Sequence, residues 1–138
     1  MDDAALLAAI REHAYLEGDF VLRSGKRSSY YLDKYRFETR PELLEEIGAR
    51  LSARIAEVEP EATLIAGPEL GAVALAAAAS MASRLPFLIV RGEAKSYGTG
   101  NRLEGAFEAV VEHALRETGD AVALRGARGS PHRPRPDR

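Results

Sequence analysis

The 138-residue sequence contains no cysteine. Disulfides and thiolate metal sites are therefore excluded as sources of stability or chemistry. It also lacks a long apolar run: residues 72–79 are alanine-rich, but Gly71 and Ser80 bracket them and Arg84 follows. That stretch is too short to span a bilayer, so no membrane segment is expected. The amino terminus, Met1-Asp2-Asp3, has neither the basic nor the apolar region of an export signal, and a cytoplasmic protein is the expectation. Histidine is scarce, and His13, His113 and His132 have no partners at metal-ligand or triad spacing.

Hydrophobic residues make up 46% and charged residues 29%, which is ordinary for one globular domain. The net charge of −2 is unevenly spread: residues 125–138 hold five arginines and one aspartate, a net +4, which leaves −6 on residues 1–124. Clustered arginine can neutralise nucleic-acid phosphate. This tail, however, has no aromatic residue for base stacking and three prolines among its last eight residues. The expected organisation is one domain over 1–124 and a disordered Arg/Pro-rich tail over 125–138, with nucleic acid not a partner.

Asp2 or Asp3 can cap a first helix with Leu6, Leu7, Ile10 and Ala14 at helical spacing, closed by Gly18. Residues 20–22 and 29–32 are strand-like, and the glycine-containing turn between them makes a hairpin. Thr39 and Glu42 match a capping box ahead of a helix bearing Leu43, Leu44, Ile47, Leu51, Ile55 and Val58. Beyond Pro60, a short apolar strand over 63–66 ends in Gly67-Pro68. An alanine-rich helix over 70–83 and a second apolar strand over 87–90 follow. Strand, helix, strand implies a parallel pair, with ligands beyond the strands' carboxyl ends near Gly67 and Arg91. A further helix over 110–118 and a short strand over 121–124 complete the pattern. The fold class is α/β: a partial parallel sheet with flanking helices and an amino-terminal helix-hairpin subregion.

The segment 91–105 begins directly after the second strand and combines Arg91 and Lys95 with Gly92, Gly98 and Gly100. Fixed cations stabilise negative charge that develops on a leaving diphosphate, and glycines allow a lid to move. Composition alone leaves two readings open, a phosphate lid or an ordinary polar surface loop. Tyr30 and Tyr31 likewise could simply alternate between core and surface on a strand.

The ordered residues Arg91, Lys95, Tyr97, Gly98, Thr99, Glu104 and Gly105 form an R-x-x-x-K-x-Y-G-T…E-G pattern. It resembles the catalytic loop of orotate phosphoribosyltransferases. The likeness extends to F-x-L-x-S-G-x-x-S-x-Y at Phe20, Leu22, Ser24, Gly25, Ser28 and Tyr30, and to A-G-P-x-x-G at 66–71. Such a resemblance implies a type I phosphoribosyltransferase fold and a glycosyltransferase of pyrimidine (UMP) biosynthesis. The reaction would join orotate to phosphoribosyl pyrophosphate with Mg2+ (magnesium), giving orotidine monophosphate and pyrophosphate. It would place Arg91, Lys95 and Tyr97 on the pyrophosphate, with Lys95 and Tyr97 catalytic. Arg23 would meet phosphate, Tyr30, Tyr31 and Leu32 would lie near the orotate ring, and Leu70 and Gly71 would bring backbone to the pyrophosphate. A homodimer is also implied, because the loop of that family reaches into a partner subunit.

The family continues after E-G with a strand, an acidic pair and a T-x-G turn that cradles the 5′-phosphate. Here Ala106-Phe107-Glu108 runs directly into the helix-like 109–120 segment, and the acidic phosphoribosyl pyrophosphate motif is absent. Gly92 also stands where relatives often carry a cation. The expected consequence is weak or absent turnover; the alternative is a noncatalytic nucleotide- or pyrophosphate-binding remnant. The composition after Leu124 further suggests an altered reading frame.

Overall fold

A computed structural model describes residues 1–93 and 102–107. Helix α1 spans Asp3–Ala14, and Asp2 caps it by accepting a hydrogen bond from the Ala5 N–H at 2.7 Å. Leu6 and Ala14 face inward while Leu7 remains exposed. Gly18 does not close this helix. Tyr15 already has extended backbone angles, and the chain passes directly into strand β1, Tyr15–Val21. Gly18 instead lies where the strand register shifts between Glu17 and Phe20, with the Phe20 ring packed over it.

Strand β2, Arg27–Leu32, pairs antiparallel with β1, as the hairpin pattern requires. In the turn, Gly25 N–H donates to the Leu22 carbonyl and Leu22 N–H to the Lys26 carbonyl, both at 2.8 Å. Gly25 has φ of 81°, a conformation that favours glycine. Asp33 N–H then donates to the Ala14 carbonyl at 2.9 Å, joining the end of the hairpin to the end of α1.

A short helix α2, Tyr35–Glu38, precedes the long helix α3, Pro41–Val58. It changes the reading of Thr39. The Thr39 hydroxyl donates back to the Tyr35 carbonyl at 2.6 Å, closing α2 rather than capping α3. Arg40 occupies the cap of α3 without a side-chain bond to its backbone, Pro41 supplies a preset first turn, and Glu42 pairs with Arg40 at 2.8 Å.

Strand β3, Ile65–Pro68, helix α4, Val73–Ser83, and strand β4, Phe87–Val90, form the expected unit. Strands β3 and β4 pair in parallel, with Ile65 opposite Phe87 and Pro68 opposite Val90. Gly67-Pro68 thus belongs to the strand rather than ending it. The helix begins three residues later than its alanine pattern suggests, which frees residues 69–72 to form a turn. Two glycines permit the close packing. A Cβ on Gly48 would lie 2.7 Å from the Ala78 Cβ, and one on Gly67 would lie 2.6 Å from the Ala76 Cβ.

A two-residue strand β5, Leu103–Glu104, pairs antiparallel with β4, so the sheet is mixed, in the order β3-β4-β5. Leu64, Leu88 and Leu103 form its buried centre, with Ala66, Val90 and Phe107 packed against them. The helix expected over 110–118, the strand over 121–124, the domain boundary at 124 and the tail lie outside the described residues.

Candidate functional site

Parallel pairing brings the carboxyl ends of β3 and β4 side by side, and three segments meet there. Glu69, the first residue beyond β3, donates its N–H to the Val90 carbonyl at 2.8 Å. Its carboxylate accepts the Gly92 N–H at 2.7 Å. One residue therefore joins the turn after β3 to the start of the loop after β4. The peptide between Glu69 and Leu70 is cis.

Within this turn, Leu70 is 71% exposed. Ala72 N–H returns to the Pro68 carbonyl at 3.0 Å, and Val73 N–H reaches the Leu70 carbonyl at 3.3 Å. The N–H groups of Leu70 and Gly71 donate to no other described residue. They are the free donors that an anion at this strand end can use.

Lys34 connects the amino-terminal hairpin to the same turn. It follows β2 by two residues, donates through Nζ to the Gly71 carbonyl at 2.9 Å, and holds its ammonium 5.5 Å from the centre of the Tyr35 ring. Sequence reasoning missed this lysine. A local signal was present, a cation directly after the strand carrying Tyr30 and Tyr31, but its partner is 37 residues away.

Arg91 opens the loop after β4. Its N–H donates to the Arg102 carbonyl at 2.7 Å, and its guanidinium lies 3.8 Å from the Glu104 carboxylate. The Arg102 guanidinium in turn donates to the Arg91 carbonyl at 3.3 and 3.4 Å. Strand β5 thus returns the far end of the loop to its start, holding the arginine and the glutamate of the sequence pattern together. The Arg91 Nε is buried without a hydrogen-bond partner among the described residues. Lys95 and Tyr97 lie outside the described residues.

On the hairpin, Tyr30 stacks on Tyr15 with ring centres 5.6 Å apart and planes at 19°. Tyr31 meets Phe20 at the same separation. Both tyrosines are about half exposed, so neither alternates into a core. Arg27 pairs with Asp19 across the hairpin, whereas Arg23 is exposed in the turn and has no ion pair among the described residues. The structure therefore brings Leu70, Gly71 and Arg91 to one strand end and links the hairpin to them through Lys34.

This α/β arrangement, with the Leu70-Gly71 turn and Arg91 at adjoining strand ends, is that of the type I phosphoribosyltransferase fold. A solved orotate phosphoribosyltransferase of Mycobacterium tuberculosis superposes with a TM-score of 0.63 at 26% identity, over 75% of this chain and 59% of that one. Among curated relatives, the orotate phosphoribosyltransferase of Methanocella arvoryzae is 44% identical over 124 residues, covering 76% of this chain and 69% of the relative. That of Halobacterium salinarum is 44% identical over 132 residues, covering 88% and 73%. No protein-family model matches. The chain belongs to the orotate phosphoribosyltransferase family, whose members are glycosyltransferases of pyrimidine biosynthesis.

Proposed function

We propose that this chain transfers the phosphoribosyl group of phosphoribosyl pyrophosphate to orotate, yielding orotidine monophosphate and pyrophosphate. The observation that carries this reading is the meeting of the Leu70-Gly71 turn with Arg91 at the ends of β3 and β4. In the reaction the bond from ribose carbon to diphosphate oxygen breaks, and the diphosphate leaves with its electrons. The orotate ring nitrogen bonds to that carbon and its proton is lost. Backbone N–H groups of the turn, Arg91 and Lys95 offset charge growing on the diphosphate, where such groups contribute most. Tyr97 is assigned to the same closing loop.

Tyr30 and Tyr31 offer half-exposed rings suited to the flat face of orotate, and Arg23 offers a cation to phosphate. Magnesium belongs to this reading as a companion of the substrate phosphates, which typically supply much of its coordination. Among the described residues no three acidic or histidine side chains converge to hold a metal. The reading further includes a homodimer in which the 91–105 loop serves a partner's site, and a cytoplasmic location. No helix among the described residues is long and apolar enough to cross a membrane.

The absent acidic motif sets the expected rate. Losing a 5′-phosphate cradle removes charge-assisted hydrogen bonds worth roughly 1.5–3 kcal/mol each, so donor affinity falls by orders of magnitude. No observation favours a noncatalytic remnant over a slow enzyme. The test is to follow conversion of orotate to orotidine monophosphate with and without magnesium. Slow, magnesium-dependent product supports the reading; no product at any donor concentration overturns it, and an ordinary enzymatic rate overturns the expected loss of donor affinity.

A further inference from the structure

Lys34 stands outside the family pattern quoted above, yet it makes the hydrogen bond that links the hairpin side to the turn after β3. The Gly71–Ala72 peptide is held at both ends. Its carbonyl accepts from Lys34 Nζ at 2.9 Å, and its N–H donates to the Pro68 carbonyl at 3.0 Å. The next two N–H groups back along the chain, those of Gly71 and Leu70, have no acceptor among the described residues. Lys34 is itself exposed, and α2 starts at the following residue. Its reach to Gly71 therefore ties two segments that are distant in sequence.

Gly71 is shaped to that lysine. A Cβ there would lie 2.6 Å from the Lys34 Cε, within reach of the ammonium itself, and 3.5 Å from the Tyr35 hydroxyl. The obstruction is the end of a flexible side chain, not backbone. An alanine can therefore be accommodated by displacing Lys34, without breaking the fold.

We propose that Lys34 is a positioning residue for the pyrophosphate turn: by fixing the Gly71 carbonyl it holds the Leu70 and Gly71 N–H groups in an orientation that receives an anionic oxygen. This rests on the proposed function for the identity of the anion. The bond between Lys34 and the turn rests on geometry alone. A turn fixed before ligand arrives loses less conformational entropy on binding than a loose one. The absence of a side chain at Gly71 follows from the same arrangement, since any larger residue pushes the ammonium away.

The experiment compares wild type, Lys34→Ala, Lys34→Arg, Gly71→Ala and the Lys34→Ala/Gly71→Ala double variant. Amide hydrogen exchange at residues 70–72 reads the turn without ligand, and titration with inorganic pyrophosphate and magnesium reads the site. Lys34→Ala and Gly71→Ala should each speed exchange at 70–72 and weaken pyrophosphate by about fivefold, as expected for one exposed charge-assisted bond. The double variant should be no worse than either single one. Lys34→Arg should recover part of the loss, with melting temperatures little changed throughout. Unchanged exchange in Lys34→Ala, or additive losses in the double variant, would overturn the proposal. Wild type that binds no pyrophosphate while exchange still depends on Lys34 would instead overturn the assigned function and leave Lys34 as a structural clamp.

Discussion

In the body formed by α3, α4, β3 and β4, Leu43 is 1% exposed and Leu88 is fully buried, while Gly48 and Gly67 let helix and strand approach α4 closely. In the β1–β2 hairpin, Val21, Tyr30, Tyr31 and Leu32 remain 44–71% exposed. The first region uses its apolar side chains to hold the fold. The second presents them outward, beside the lysine that reaches the turn. If the proposed function holds, stability and recognition are separated in space, and mutations should separate them too.

The largest expected effect lies in the body. Leu88→Ala should lower unfolding free energy by about 2–5 kcal/mol in chemical denaturation, because it empties the centre of the Leu64–Leu88–Leu103 cluster. Gly48→Ala should cost about 1–3 kcal/mol, since its methyl group must displace α4 at Ala78. A loss under a few tenths of a kcal/mol in either variant would break the comparison. Tyr30→Ala should reverse the balance. It should cost stability no more than the roughly 0.5–1.5 kcal/mol of its stacking on Tyr15, well below Leu88→Ala, yet weaken orotate severalfold in titration.

The smallest effect concerns Glu38, a buried carboxyl group on α2. Burial raises its pKa above the ordinary 4.5, and the nearby Lys34 opposes that shift only in part. A raised folded-state pKa means that the folded protein binds this proton more tightly than the unfolded chain. The resulting stability is present below pH 4.5 and is lost as pH rises through the folded value. Glu38→Gln should therefore gain melting temperature relative to wild type at neutral pH, and the gain should shrink toward pH 4. A difference that stays constant across that range would show that its ionisation does not matter.

The parallel β3–β4 pair was legible because continuous apolar runs flank an alanine-rich helix, and a cap at Asp2 or Asp3 was legible, the choice falling to Asp2 once the Ala5 N–H is placed. Thr39 misled because two helix ends meet there. Its spacing to Glu42 fits a capping box, but the hydroxyl is nearer the Tyr35 carbonyl of a four-residue helix too short to show periodicity. Gly18 suggested a helix end, whereas the helix had already given way to strand. Strand β5 has only two residues and therefore no pattern to read. The place of Leu70, Gly71 and Arg91 just beyond two adjoining strands could be read in advance, because apolar runs mark those strands. Lys34 and Glu69 could not, because their roles exist only once distant segments meet.

Titration of phosphoribosyl pyrophosphate into wild type and Arg91→Ala, with and without magnesium, tests most directly whether the ends of β3 and β4 form a diphosphate site. Magnesium-dependent binding, weak in wild type and lowered about tenfold further by Arg91→Ala as loss of a charged hydrogen-bond partner implies, is the predicted result. Binding that ignores both magnesium and Arg91 would contradict it.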